Sequence, residues 1–173
     1  MMSGWTPKSE ALCLFLLPLM LYLPALDGPF LAWDDQMLVT NNPYAHELSR
    51  ENLARMFFSI QDRGRFFAAY IPLRDFSNAL TWRLLGHEPI WFHGVDLLLY
   101  LASLQVLYRL LRVLGFPAFW GALVFAVHPL HVESVAWISE RKDQLGLLFF
   151  LLALGGYLRY RLGKGGRIYY WGS

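Results

Sequence analysis

Apolar residues along the chain gather into four runs separated by polar stretches. The first, 11–26, follows Lys8 and stops at Asp27. At about 1.5 Å per residue it just reaches across a bilayer core of about 30 Å. A single cation before the run, Pro18 and Pro24 within it, and no small-residue cleavage site after it favour an uncleaved anchor over a cleaved signal peptide. Runs at 90–108, 117–135 and 144–160 follow, the second ended by Arg109 and Arg112 and the last by Arg159, Arg161, Lys164 and Arg167. The pattern predicts an all-α integral membrane protein: one membrane domain over 1–173, with four transmembrane helices and a long extracytoplasmic loop, 27–89.

Within that loop the polar pattern is itself periodic. Asn41-Asn42-Pro43-Tyr44 reads as a turn, and Ser49 as a helix N-cap with Glu51 in the first turn. Leu53, Met56, Phe57 and Ile60 then recur at i, i+3, i+4 and i+7. A second amphipathic stretch carries Leu73, Phe76, Leu80 and Leu84 on one face, with Arg74, Ser77, Asn78 and Thr81 elsewhere. Both are expected to be interfacial helices lying along the membrane surface, with Trp82 at the headgroup level.

Composition changes this picture mainly by exclusion. The 173 residues are 56% hydrophobic and 16% charged, which is little charge for a soluble domain. A net charge of +2 without a Lys/Arg-rich run gives no footprint for nucleic acid. Cys13 is the only cysteine, so an intrachain disulfide is impossible.

Charge does set an orientation. With the N-terminus in the cytoplasm, Lys8, Arg109, Arg112, Arg159, Arg161, Lys164 and Arg167 all lie inside. All five histidines, and every acidic residue except Glu10, then lie on the outer half. Any chemistry is therefore expected on the extracytoplasmic face.

Three groups of residues are candidates for it. Asp34-Asp35, directly after the first run, suits general-base work on a hydroxyl, since adjacent carboxylates push their pKa values apart; an ordinary acidic stop to the run is the plain alternative. His128, His131 and Arg141 can hold a phosphate or pyrophosphate headgroup, with Glu133 holding an imidazole or cation; alternatively His128, His131 and Glu133 ligate a divalent metal, or the cluster merely satisfies helix ends. Pro129 disturbs any shared helical face there. Arg74 is a further outer cation for a lipid phosphate. Asp96, inside the second run, requires a partner, and His93 one turn earlier is the first candidate.

Taken in order, Trp33-Asp34-Asp35, Asn42-Pro43, Tyr70-x-Pro72-Leu73, Gly86-x-x-Pro89-x-x-Phe92-His93 and the run from His128 to Asp143 form a specific series. It resembles the N-terminal membrane part of the bacterial relatives of the transmembrane and tetratricopeptide-repeat O-mannosyltransferases, over roughly 25–161. The resemblance implies a GT-C glycosyltransferase that moves a sugar, mannose by family, from a polyprenyl-phosphate-linked donor to Ser or Thr hydroxyls of an exported protein. It implies work without a metal or other cofactor, in the bacterial inner membrane. By the same resemblance Asp34 and Asp35 are catalytic, and Arg74, His93, His128, His131, Glu133, Arg141 and Asp143 contact substrate. The chain departs from the family at Ile71, Asp96 and Tyr100. Four spans are also fewer than a GT-C core needs, and no repeats follow, so an N-terminal fragment, inactive alone, is expected. Two other readings stand beside this one: a non-catalytic membrane anchor once joined to interaction repeats, and a metal-dependent membrane hydrolase built on His128, His131 and Glu133.

Overall fold

A computed structural model describes residues 6–32, 34–58 and 70–163. Among these residues the structure is helical throughout, without a strand. Helix α1, Pro7–Tyr22, starts on a reciprocal cap in which Ser9 N–H donates to Thr6 Oγ1 and Thr6 N–H donates to Ser9 Oγ. It runs into a 3₁₀ turn, Leu23–Asp27, set by Pro24. After two further short turns come α2, Arg50–Phe58, and α3, Pro72–Leu85. Helix α4, Pro89–Val113, is the centre of the fold and packs against α1, α5, Ala118–Val127, and α7, Arg141–Arg161.

Among the described residues two segments are long and apolar enough to cross a membrane: Pro7–Asp27 and Pro89–Val113. The third run, expected as one span over 117–135, is broken. α5 ends at Val127, and His128 takes an extended backbone with ψ 127° before α6, His131–Ala136, begins. Pro129 is the cause, since its ring excludes helical geometry at the residue before it. At about 1.5 Å per residue, the ten residues of α5 reach only about half the bilayer core. The fourth run lies within α7, whose 21 residues carry charge at both ends.

The packing of α1, α4 and α5 uses small residues. Ala118, Ala122 and Ala126, four apart, face Leu14 of α1 and Leu104 and Tyr108 of α4. A Cβ on Gly121 would sit 3.0 Å from Leu111 Cδ1, and one on Gly155 of α7 3.3 Å from Leu110 Cδ2. Such small faces let helix backbones approach closely where lipid offers no hydrophobic drive.

In the loop, both amphipathic stretches form helices, and the expected caps are present. Tyr44 N–H donates to Asn42 Oδ1 at 3.0 Å, and Asn52 N–H donates to Ser49 Oγ at 3.1 Å. The apolar face of α2 packs on α3, with Leu53, Met56 and Phe57 against Phe76 and Ala79; Ile60 lies outside the described residues. α3 is turned polar side in: Arg74, Asp75, Asn78 and Thr81 are buried, whereas Leu73, Leu80 and Leu84 are exposed. Trp82 stacks on His46 with ring centroids 3.8 Å apart and meets Phe92 edge-on. α3 ends at Gly86, whose φ of 113° is open to few residues other than glycine.

Candidate active site

Asp34 and Asp35 open a short helical segment that passes into a turn of π-helix, Gln36–Thr40, which buries both Leu38 and Val39. Their environments differ sharply. Asp35 is wholly buried. Its Oδ2 accepts from Leu31 N–H at 2.9 Å, and its Oδ1 accepts from both the backbone N–H of Ser139, at 2.9 Å, and the Ser139 hydroxyl. One carboxylate thus ties the segment after α1 to the turn Ile138–Glu140 that precedes α7. Asp34 is half-buried and makes no hydrogen bond or ion pair among the described residues. Trp33 lies outside them.

Beside Asp35 is a buried polar cluster joining α3, α4 and α7. Arg141, the first residue of α7, is wholly buried. Its Nε donates to Asp96 Oδ1 at 2.5 Å, Nη1 to Thr81 Oγ1 at 2.9 Å and Ser77 Oγ at 3.3 Å, and Nη2 to the Phe92 carbonyl at 3.0 Å. The guanidinium also stands 5.4 Å from the Phe92 ring centroid. A buried cation is tolerable only with this degree of satisfaction. Asp96 pairs with Arg141 and not with His93, its candidate partner from local spacing. His93 Nε2–H donates to the Gly28 carbonyl at 3.1 Å, and Nδ1 is left as a buried acceptor with no partner among the described residues. A Cβ on Gly28 would stand 3.1 Å from that Nε2, so glycine permits the close pass. His93 interacts electrostatically with Asp35 and Arg141, and Asp96 with both of those residues. Asp96 Oδ2 and both polar atoms of the Asn78 side chain are also buried, with no hydrogen-bond partner among the described residues.

Arg74, expected to meet a phosphate, is buried, and its Nε and Nη2 both donate to Asp75 Oδ1, at 2.9 and 2.8 Å. Burial pushes the Asp75 carboxyl above its ordinary range, against the pull of Arg74. Arg141 likewise has its nitrogens engaged within the protein. Arg141 thereby joins α7 to α3 and α4, whereas Arg74 is paired within α3 itself.

The remaining predicted residues lie at the surface. His128, Glu133 and Asp143 are exposed, and Lys142 pairs with Glu140. His131 is half-buried, with its ring 4.1 Å from Phe125, 5.7 Å from Tyr100 and 6.0 Å from His128 between centroids. Burial, helped by the neighbouring His128, lowers the His131 pKa. Among the described residues no group of three His, Cys, Asp or Glu side chains is placed to hold a metal ion.

Several partners escape sequence reasoning. Ser139 and the Ser77/Thr81 pair have hydroxyls that become visible as partners only once the long-range contacts form. Tyr100 is one whose role follows from the break: its hydroxyl donates to the Phe125 and Ala126 carbonyls at 3.2 and 3.1 Å, where Pro129 stops α5; the Phe125 carbonyl also accepts from His128 N–H at 3.3 Å. Gln144 serves α6 similarly, donating to the Ser134 carbonyl at 3.0 Å.

No protein-family profile and no solved structure matches the chain. Its sequence is similar to proteins named protein O-mannosyl-transferases. It is 31% identical over 161 residues to TMTC2 of Mus musculus, a match covering 90% of this chain and 19% of that protein. It is 34% identical over 167 residues to TMTC1 of the same species, covering 90% and 17% respectively. With F38B6.6 of Caenorhabditis elegans the identity is 30% over 155 residues, covering 83% and 22%. The chain thus spans about a fifth of the length of these relatives.

Proposed function

We propose that the chain supplies the membrane portion of a protein O-mannosyltransferase of GT-C type. In this reading, mannose passes from a polyprenyl-phosphate-linked donor to Ser or Thr hydroxyls of an exported protein, on the extracytoplasmic face of a bacterial inner membrane. The observation that carries it is the asymmetry of the acidic pair. Asp34 is half-buried and, among the described residues, without a hydrogen bond or ion pair, which leaves its carboxylate open to act as a general base. Asp35 is locked by three hydrogen bonds and holds the backbone that presents Asp34. Asp35 is thus a positioning residue. Arg141 braces α3, α4 and α7, while exposed His128 and half-buried His131 offer imidazoles to the donor phosphate, and the exposed carboxylates of Glu133 and Asp143 can hold an imidazole or a cation beside it. The similarity to proteins named O-mannosyl-transferases supports the choice of sugar and acceptor.

The test is a transfer assay with the full-length protein that carries this segment. Membranes would be supplied with polyprenyl-phosphate-linked mannose or a nucleotide-linked mannose, and with a Ser/Thr-rich peptide. Transfer from the lipid-linked donor alone is expected; transfer only from the nucleotide sugar, or none, would overturn the assignment.

One observation favours a second reading. Arg74, Asp96 and Arg141 are buried and spent on internal contacts, as in a non-catalytic anchor module. That reading expects no transfer from either donor.

A further inference from the structure

At the end of α4 remote from His93, α4 and α7 enclose a cleft of about 370 Å³. From His93 to Arg109 is about 24 Å along the helix at about 1.5 Å per residue. The walls are apolar, with Leu110 and Val113 from α4 and Leu152 from α7; the charged lining residues are Arg109 and Arg159, both exposed. The helices touch beside the cleft, where Gly155 lies against Leu110. Phe150 and Leu152 on the neighbouring surface of α7 are 63% and 49% exposed. More positive charge collects at the same helix ends, from Arg112 and Arg161.

An apolar slot that ends in two guanidinium groups is complementary to an amphiphile with a hydrocarbon tail and an anionic head. Arginine's planar fork matches phosphate oxygens, and basic pockets between membrane helices suit acidic lipid headgroups. We propose that this cleft is a binding site for an anionic phospholipid, with the phosphodiester on Arg109 and Arg159 and an acyl chain between Leu110 and Leu152. The site lies at the opposite end of α4 from the acidic pair and does not depend on sugar transfer; it requires that α4 crosses a membrane with the apolar part of α7 beside it in the bilayer.

The test reconstitutes the protein in vesicles of equal parts phosphatidylcholine and phosphatidylglycerol, extracts it in mild detergent, and reads retained lipid by native mass spectrometry. One phosphatidylglycerol per chain is expected in preference to phosphatidylcholine. R109A/R159A is expected to lower its retention by about tenfold, whereas R112A, outside the cleft, leaves it unchanged. L152W keeps both charges but fills the slot, and is expected to lose the lipid while retaining its helical circular dichroism. Equal retention of the two lipids, unchanged retention in R109A/R159A and L152W, or a lipid-free dimer joined through this face would overturn the proposal.

Discussion

Arg141 at the start of α7 donates from Nε to Asp96 in α4 at 2.5 Å, and both side chains are wholly buried. The pair fixes the N-terminal end of α7 against α4, and through Thr81 and Ser77 it also holds α3. Breaking a buried pair strands a charge, so D96A or R141A is expected to cost about 3–5 kcal/mol. D96L/R141M removes both charges and is expected to cost much less than either single change. Chemical unfolding in detergent micelles checks this. Costs that simply add in the double variant would contradict the pairing.

Tyr100 is the hydroxyl that serves the broken end of α5. Y100F keeps the ring against Tyr22 and Phe125 but takes the hydroxyl from the Ala126 carbonyl, while the Phe125 carbonyl keeps its bond from His128 N–H. A loss of about 1–3 kcal/mol is expected, with faster proteolysis next to Pro129. Unchanged unfolding and cleavage would mean that water serves the Ala126 carbonyl equally well.

The His131 ring ties stability to pH. Its folded pKa is depressed below the ordinary 6.5, first by burial and then by His128. As pH falls through about 6.5 the unfolded chain therefore takes up the proton before the folded one. The contribution is fully present above that value and is lost as pH drops toward the folded pKa. Melting temperatures from about pH 7.5 to pH 5 are expected to fall in the wild type and to fall less steeply in H131F. Equal slopes would remove His131 from the account.

The sequence displays what is local and periodic. The runs at 11–26 and 90–108 correspond to Pro7–Asp27 and Pro89–Val113. The Ser49 cap and the Asn42-Pro43 turn form as read, because each depends on neighbours within a few residues. Pro129 announced the break in the third run, yet the apolar residues on either side suggested one continuous span. Asp96 shows the limit more clearly. A carboxylate in an apolar run requires a partner, but helical spacing offers only His93, while the actual partner lies 45 residues later in sequence. The different surroundings of Asp34 and Asp35 were equally hidden, since Ser139 lies 104 residues from Asp35.

The most direct measurement compares D34N and D35N in the full-length protein, reading mannose transfer and melting temperature together. D34N is expected to abolish transfer and leave melting unchanged, because Asp34 makes no hydrogen bond or ion pair among the described residues. D35N places an amide nitrogen against the Leu31 or Ser139 donors and is expected to lower melting by about 1–3 kcal/mol equivalent, with transfer falling as a consequence. Retained transfer in D34N would contradict the assignment of Asp34 as the base.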